Sequence, residues 1–425
     1  MRLKAYGKKH PGFWGCGHRQ QSGRESEECR HKQDAEGKPG CVNQADTKKR
    51  VLLLASVASM IDQFNMRNIQ ILLHMGYEVH VACNFKKGNT CDARRIRILK
   101  QELRKMHVAY HQWDCPRSIY AVCSCVKAFV QLWRLTARYP FLWMHCQSPI
   151  GGVLSRLAAH GRGIKVIYTA HGFHFYKGAP FKNWLFYPVE KCLSYWTDVL
   201  VTVNKEDYWF AKRYLNAGKV CWIPGVGIDV QKFYRFEKKR QVFCRNYQIP
   251  QNALILLSVG ELSRRKNHKD VLLALACLID REFYYLICGQ GKQEHKLYAQ
   301  AQALGIANCV RMVGFQEDVA QFYEYADIFV FPSRQEGLPA ALMEAMAAGK
   351  ACIVSDIRGN RELIDLAGGM RFPPGSPHIL AKELELLFGD QKRRQAYGRH
   401  NRQKIQNYDK HVVDARMKKI YAWME

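Results

Sequence analysis

The sequence has no run of about 18 uninterrupted apolar residues, so no stretch reads as a membrane-spanning helix. Its longest aromatic-rich region, Ile119 to Trp143, is broken by Lys127, Arg134, Arg138 and Pro140. It has no Cys-x-x-Cys pair, although 16 of its 425 residues are cysteine. Most of these, like Cys83, Cys277 and Cys288, lie in apolar runs where a thiol serves as a small core residue. No secretory signal opens the sequence, so free thiols in a reducing cytoplasm are expected. No Gly-x-Gly-x-x-Gly follows an apolar run, which argues against a dinucleotide dehydrogenase. Helix-turn-helix patterning, zinc-finger spacing and an aromatic RNA-binding signature are missing too. Acidic residues are scarce: 37 Asp and Glu face 65 Lys and Arg, a formal charge of +28. That excess suits nucleic acid, an anionic membrane surface or a phosphorylated small molecule, and does not choose among them.

What is present is globular, with 48% hydrophobic and 12% aromatic residues. A chain this long exceeds one ordinary core, since cores stop growing near ~250–300 residues. Residues 1–47 read as a disordered leader, polar and without apolar periodicity. The spacing of Cys16, His18, Cys29, His31 and Cys41 faintly suggests zinc, but only one residue separates each Cys–His pair, against the usual two to four. From Arg50 apolar runs alternate with helical spacing. Strands are expected at 50–57, 78–84, 141–147, 165–172, 198–204 and 219–225. The pattern restarts after a polar stretch, with strands at 253–260, 282–289, 310–315, 327–333 and 351–356. Alternating strands and helices predict an α/β protein of two Rossmann-like, doubly wound parallel-sheet domains facing a central cleft. The expected boundaries are 48–228, a linker at 229–252, and 253–405. Residues 406–425 are expected to form a helix crossing back to the first domain.

The richest segment for chemistry is PSRQEGLPAALMEAMAAGK, residues 332–350. Glu336 lies in a loop after a strand, Gly337 allows close approach of a ligand, and Pro339 suits a first helical turn. Glu344 follows after eight residues, about 12 Å of helical rise. The two carboxylates thus have the spacing to take hydroxyls from two sugar rings on either side of a diphosphate held at the helix N-terminus. Standing alone, the same pair would fit an amphipathic helix whose glutamates face water. GELSRRKNHKD (260–270) puts Arg264, Arg265 and Lys266 past a strand end, where cations neutralise a diphosphate or simply face solvent. Gly289 and Gly291 in CGQGKQE sit at another strand end, fit for a nucleotide's approach or a plain tight turn. In KVIYTAHGFHFYKGAP (165–180), His171 ends an apolar strand and His174 follows.

Together these motifs resemble glycosyltransferase family 4, retaining enzymes of the GT-B fold; HGFHFY and ASVASMIDQFN resemble its exopolysaccharide and capsule branch. The resemblance covers roughly residues 48–420. It implies that Glu336 and His171 act on the donor sugar and that Arg265, Lys266, Gly337 and Leu338 bind the donor diphosphate. It further implies Glu344, Gly289 and Gly291 at the ribose and nucleotide, with Asp62 and His174 as candidates at the acceptor. Lys266 matches the family's motif lysine, but Glu261 stands where many members have Arg. Ser56, Ser59, Asp62 and Asn65 replace a glycine-rich loop.

The expected activity is hexose transfer from a nucleotide diphosphate sugar to a lipid-linked saccharide, with retained configuration and no cofactor. No Asp-x-Asp is placed at a strand end, so no metal site is expected. A non-hydrolysing nucleotide-sugar epimerase of the same architecture is the alternative, and a basic nucleic-acid-binding protein a distant one. The first 50 residues carry only +6 of the charge. The remainder, beyond what one nucleotide needs, is assigned to an anionic membrane surface, with no nucleic acid as partner. A peripheral location on the inner face of the cell membrane is expected.

Overall fold

The computed structural model describes residues 49–88, 92–118, 120–234 and 240–425. The expected leader and its zinc-like spacing lie outside them. Among the described residues, thirteen strands form two wholly parallel sheets. The first holds β1 (Arg50–Leu54), β2 (Glu78–Cys83), β3 (Ala109–Gln112), β4 (Trp143–Gln147), β5 (Lys165–Ala170), β6 (Val199–Thr202) and β7 (Lys219–Trp222). The second holds β8 (Leu254–Val259), β9 (Phe283–Cys288), β10 (Val310–Gly314), β11 (Ile328–Phe331), β12 (Ala351–Ser355) and β13 (Gly369–Phe372). Their orders are β3-β2-β1-β4-β5-β6-β7 and β10-β9-β8-β11-β12-β13. Each is doubly wound, with its switch point between the first and fourth strand of its set, where ligands bind beyond the strands' carboxyl ends.

The strand sequences explain the layering. RVLLL and ACIVS are buried along almost their whole length, as strands covered by helices on both faces must be. Every strand expected from the sequence forms, each of them shorter at one or both ends than the apolar run suggested. Two strands without an apolar run, β3 and β13, are edge strands. AYHQ is half-buried throughout, so it carries no hydrophobic signal.

Part of the stretch read as a linker is folded. It contains a 3₁₀ turn, Val230–Phe233, and a helix, Arg240–Asn246. Phe233 packs on Tyr323 with ring centroids 5.7 Å apart, and Phe243 on Phe322 at 5.6 Å. Both aromatics are buried in the second domain's core, a gain that an open linker would not allow.

The last helix, Lys410–Ala422, leaves the second sheet's side and lays Val413, Met417, Ile420 and Tyr421 into the core of the first. Tyr421 stacks on Trp143 at 5.4 Å and its hydroxyl lies 3.0 Å from His145 Nδ1. Burying each such side chain is worth about 1.5–3 kcal/mol, so the helix fastens the chain's end to the first domain.

Candidate active site

The cleft between the sheets has a volume of about 1210 Å³ and is lined from both sides, by His171, Gly172 and His174 and by Lys266, Glu336 and Gly337. On the second-domain side, Glu336 Oε1 lies 2.6 Å from Arg265 Nη1 and 2.9 Å from Lys266 Nζ. Lys266 is mostly buried, its ammonium 4.6 Å from the centre of the Phe331 ring, whereas Arg265 is nearly half exposed and also donates to the Gln335 carbonyl. Arg264 is exposed. The following helix is Ala340–Ala347, with Pro339 as its cap rather than its first residue.

Gly337 brings the two sides together. A Cβ there would meet the His171 carbonyl oxygen at 2.0 Å, and one on Gly172 would meet Gly337 Cα at 2.9 Å. Gly172 also has φ +124°, a conformation that L side chains rarely adopt. Two backbone loops, one from each domain, therefore touch without side chains between them. Leu338 lies beside this contact in the same cleft wall.

His171 Nε2 lies 2.8 Å from Gln147 Oε1, and Gln147 in turn pairs amide to amide with the buried Asn65. Burial pushes the His171 imidazole down to about 4, so it is neutral near pH 7 and its tautomer is set by the amide. His174 also lines the cleft, against Phe186 at 5.2 Å, with its imidazole pushed down first by burial and then by Arg358. Glu344 lies on the inner side of its helix, accepting from the Tyr323 hydroxyl at 2.9 Å. Burial raises its carboxyl to about 7, so this glutamate does not simply face water.

Three sequence candidates have a simpler use. A Cβ on Gly289 would meet the Gly260 carbonyl oxygen at 1.9 Å, and one on Gly291 the Leu262 carbonyl oxygen at 2.4 Å. Both glycines thus let the loops after β8 and β9 pack on each other. Asp62 is held by Arg95 through both carboxylate oxygens, at 2.5 and 2.9 Å, and lines a smaller hollow of about 180 Å³ behind His171.

The sequence reading missed Arg358, Asp207 and Gln147. Arg358 is buried at the start of the helix Arg358–Leu363 and gives Nη1 to Asp207 at 2.5 Å, Nη2 to the Phe173 carbonyl at 2.5 Å and Nε to the Glu336 carbonyl at 3.2 Å. Asp207 also accepts from the Phe173 amide at 3.0 Å and from Asn204 at 2.8 Å. The only local signal was Asn204-x-x-Asp207, which reads as a helix cap; nothing in the sequence joins it to Arg358.

A bipartite Rossmann molecule with a cation-paired glutamate at its cleft is the architecture of a GT-B transferase, and comparison with known proteins agrees. Residues 239–404 match the model for glycosyl transferases group 1, and residues 50–204 that for glycosyl transferase 4-like domains. Bacillus subtilis EpsD, named as a glycosyltransferase, is 33% identical over 88% of this chain and 96% of its own length. A Campylobacter jejuni enzyme named as an N,N'-diacetylbacillosaminyl-diphospho-undecaprenol alpha-1,3-N-acetylgalactosaminyltransferase is 28% identical over 52% of this chain and 59% of its own. Among solved structures, Anabaena HepE in complex with UDP and glucose superposes with a TM-score of 0.72 at 16% identity, covering 88% of this chain and 100% of that one. WaaG, a glycosyltransferase involved in lipopolysaccharide biosynthesis, gives 0.66 at 18%, covering 87% and 99%. The chain belongs to the group 1 glycosyl transferases and has the GT-B fold.

Proposed function

We propose that the protein transfers a hexose from a nucleotide diphosphate sugar to a lipid-linked saccharide, with retained anomeric configuration, in exopolysaccharide or capsule assembly. The observation that carries this reading is the Glu336 carboxylate gripped by Arg265 and Lys266 where the two domain loops touch. When the donor arrives, its diphosphate takes over these cations and the backbone N–H groups at Gly337 and Leu338, which neutralise the departing charge. Glu336 is then released to orient the sugar hydroxyls. His171, neutral and aimed by Gln147, holds a donor hydroxyl beside the reacting carbon. Glu344 takes the ribose hydroxyls, with Gly289 and Gly291 shaping the loops around the nucleotide. His174 lies towards the acceptor; Asp62, held by Arg95, acts there only by supporting the wall behind His171.

In this reading residues 48–228 form the acceptor domain and 253–405 the donor domain. Side-chain cations and the helix start neutralise the leaving group, with no metal invoked. Two relatives are named for transfer to diphospho-undecaprenol-linked sugars, which supports the lipid-linked acceptor and a cytoplasmic, membrane-peripheral place of work. The test is incubation with a panel of nucleotide sugars and a lipid-diphosphate saccharide, reading the product's anomeric configuration by NMR. Retained configuration supports the proposal. Inverted product, or interconversion of free nucleotide sugars without acceptor, overturns it.

A further inference from the structure

Asn65 separates two consecutive helices, Ala58–Phe64 and Met66–His74. Its backbone, at φ −121° and ψ −9°, departs from helical geometry and interrupts the run. An asparagine in front of a helix ordinarily spends its side chain on the helix's free N–H groups. This one makes no such cap, although it is fully buried. Its amide is used elsewhere. Nδ2 donates to the Met60 carbonyl at 2.9 Å and to Gln147 Oε1 at 3.1 Å. Oδ1 accepts from Gln147 Nε2, and from Asn68 Nδ2 at 3.1 Å. An asparagine amide has two donor hydrogens and two acceptor sites, so all four are occupied.

These contacts have a fixed polarity. A carbonyl only accepts, so Met60 dictates that the amino end of Asn65 faces it. Asn65 Oδ1 therefore meets the amino end of Gln147, because turning Gln147 over would set oxygen on oxygen and NH2 on NH2. Gln147 Oε1 is thereby held towards His171, 2.8 Å from Nε2. That oxygen can only accept, so the neutral ring carries its proton on Nε2 and a lone pair on Nδ1. Burial disfavours a second proton, pushing the imidazole down to about 4. Gln147 lines the small hollow behind His171, and His171 lines both that hollow and the cleft. The amide pair thus orders the imidazole from behind, in a buried network whose satisfied members rigidify one another.

We propose that Asn65 and Gln147 are positioning residues that hold His171 in its Nε2–H tautomer, so that Nδ1 meets a cleft ligand as a hydrogen-bond acceptor only. This rests on the transferase reading above and narrows it. The group held by His171 must bring its own hydrogen: a sugar hydroxyl qualifies, whereas a phosphate or carbonyl oxygen does not. His171 accordingly orients the sugar and gives no proton to the departing diphosphate, whose charge is left to Arg265, Lys266 and the N–H groups at Gly337 and Leu338.

The test is long-range ¹H–¹⁵N correlation NMR on the full chain labelled with ¹⁵N-histidine, at neutral pH. The two neutral tautomers of imidazole give different cross-peak patterns, and the His171 set is the one lost in His171→Gln. The expected result is the Nε2–H pattern in the wild type, with and without UDP. Asn65→Leu and Gln147→Met are each close in volume to the residue replaced. Both should give mixed tautomers and a kcat lowered roughly tenfold, with UDP affinity unchanged. Gln147→Glu keeps an oxygen facing Nε2 and should keep the wild-type pattern. Circular dichroism checks folding, and Gln147→Met decides the point if Asn65→Leu does not fold. An Nδ1–H pattern in the wild type overturns the proposal. So does an Nε2–H pattern that survives in the folded variants, or an unchanged kcat in a variant whose tautomers mix. The tautomer is read without turnover, so absence of transfer with every nucleotide sugar would overturn the transferase reading and leave the tautomer assignment standing.

Discussion

Arg358 Nη1 lies 2.5 Å from Asp207 Oδ1, a pair 151 positions apart in sequence and almost wholly buried. Asp207 belongs to the helix Lys205–Tyr214 of the first sheet's side, and Arg358 to the helix after β12 of the second. The same guanidinium holds the carbonyls of Phe173 and Glu336, which belong to the loops after His171 and before Gly337. One side chain thus fixes the relative positions of the two loops that form the cleft floor. Burial pushes the Asp207 carboxyl up, and Arg358 and Asn204 oppose that shift.

Arg358→Ala leaves Asp207 buried without its cation, a loss of about 3–5 kcal/mol where such a pair is broken from one side. The expected outcome is a clear drop in melting temperature together with a fall in kcat, since the two loops lose their common anchor. Arg358→Met with Asp207→Leu should recover much of the stability, because replacing both charges removes the uncompensated one. It should not recover kcat. Thermal melts and steady-state rates on the three variants check this; equal recovery of both quantities would show that the pair acts through stability alone.

Glu336→Ala is expected to reduce transfer by more than about 10²-fold while leaving the melting temperature within a few degrees. If Arg265 and Lys266 hold the diphosphate as proposed, freeing them from Glu336 should keep or raise UDP affinity. Lys266→Ala should instead weaken UDP binding roughly tenfold or more, a charged hydrogen bond being worth about 1.5–3 kcal/mol. Calorimetric titration with UDP distinguishes the two.

Gly337→Ala puts a methyl where the His171 carbonyl stands, 2.0 Å away. Backbone cannot yield as a flexible side chain would, so the loops must part. A displacement of about 1 Å at reacting groups costs on the order of 10²-fold in rate. We expect that loss in kcat, with each domain's core intact by circular dichroism. Gly178→Ala, at another positive φ but with open space around it, is the control for backbone strain and should keep most activity.

Acid should destabilise the protein through its buried histidines. Burial pushes His145 and His268 down to about 3 and His171 to about 4, from an ordinary value of 6.5. As pH falls below 6.5 the unfolded chain takes up these protons first, so stability present above 6.5 is lost on the way down towards 4 and 3. Glu344 works the other way. Its carboxyl, raised to about 7 from 4.5, takes up a proton in the folded state first, contributing stability that is present below 4.5 and lost as pH rises through 7. Melting temperatures measured at pH about 7.5, 6 and 5 should fall towards acid, and His145→Gln should flatten the slope. A melting temperature that rises towards pH 5 would contradict the assignment.

The sequence alone determined the things that depend on local order. Buried parallel strands are continuous apolar runs, so RVLLL, LILLSV and ACIVS announced two α/β halves. Loops that follow strand ends open onto the cleft between the sheets, so His171, Lys266 and Glu336 could be expected along its walls from their neighbours in the chain. The edge strands β3 and β13 escaped because half-buried edges need no apolar run, and the second domain's aromatic core at Phe233 and Phe243 was hidden in polar surroundings. Tertiary structure alone decided which glycines serve packing: Gly289 and Gly291 make room for the chain's own carbonyls, Gly337 for the loop across the cleft. It alone also joined Gln147 to His171 and Arg358 to Asp207. Such contacts depend on distance in space, and residues 24 and 151 positions apart leave no periodic trace in the sequence that could have paired them.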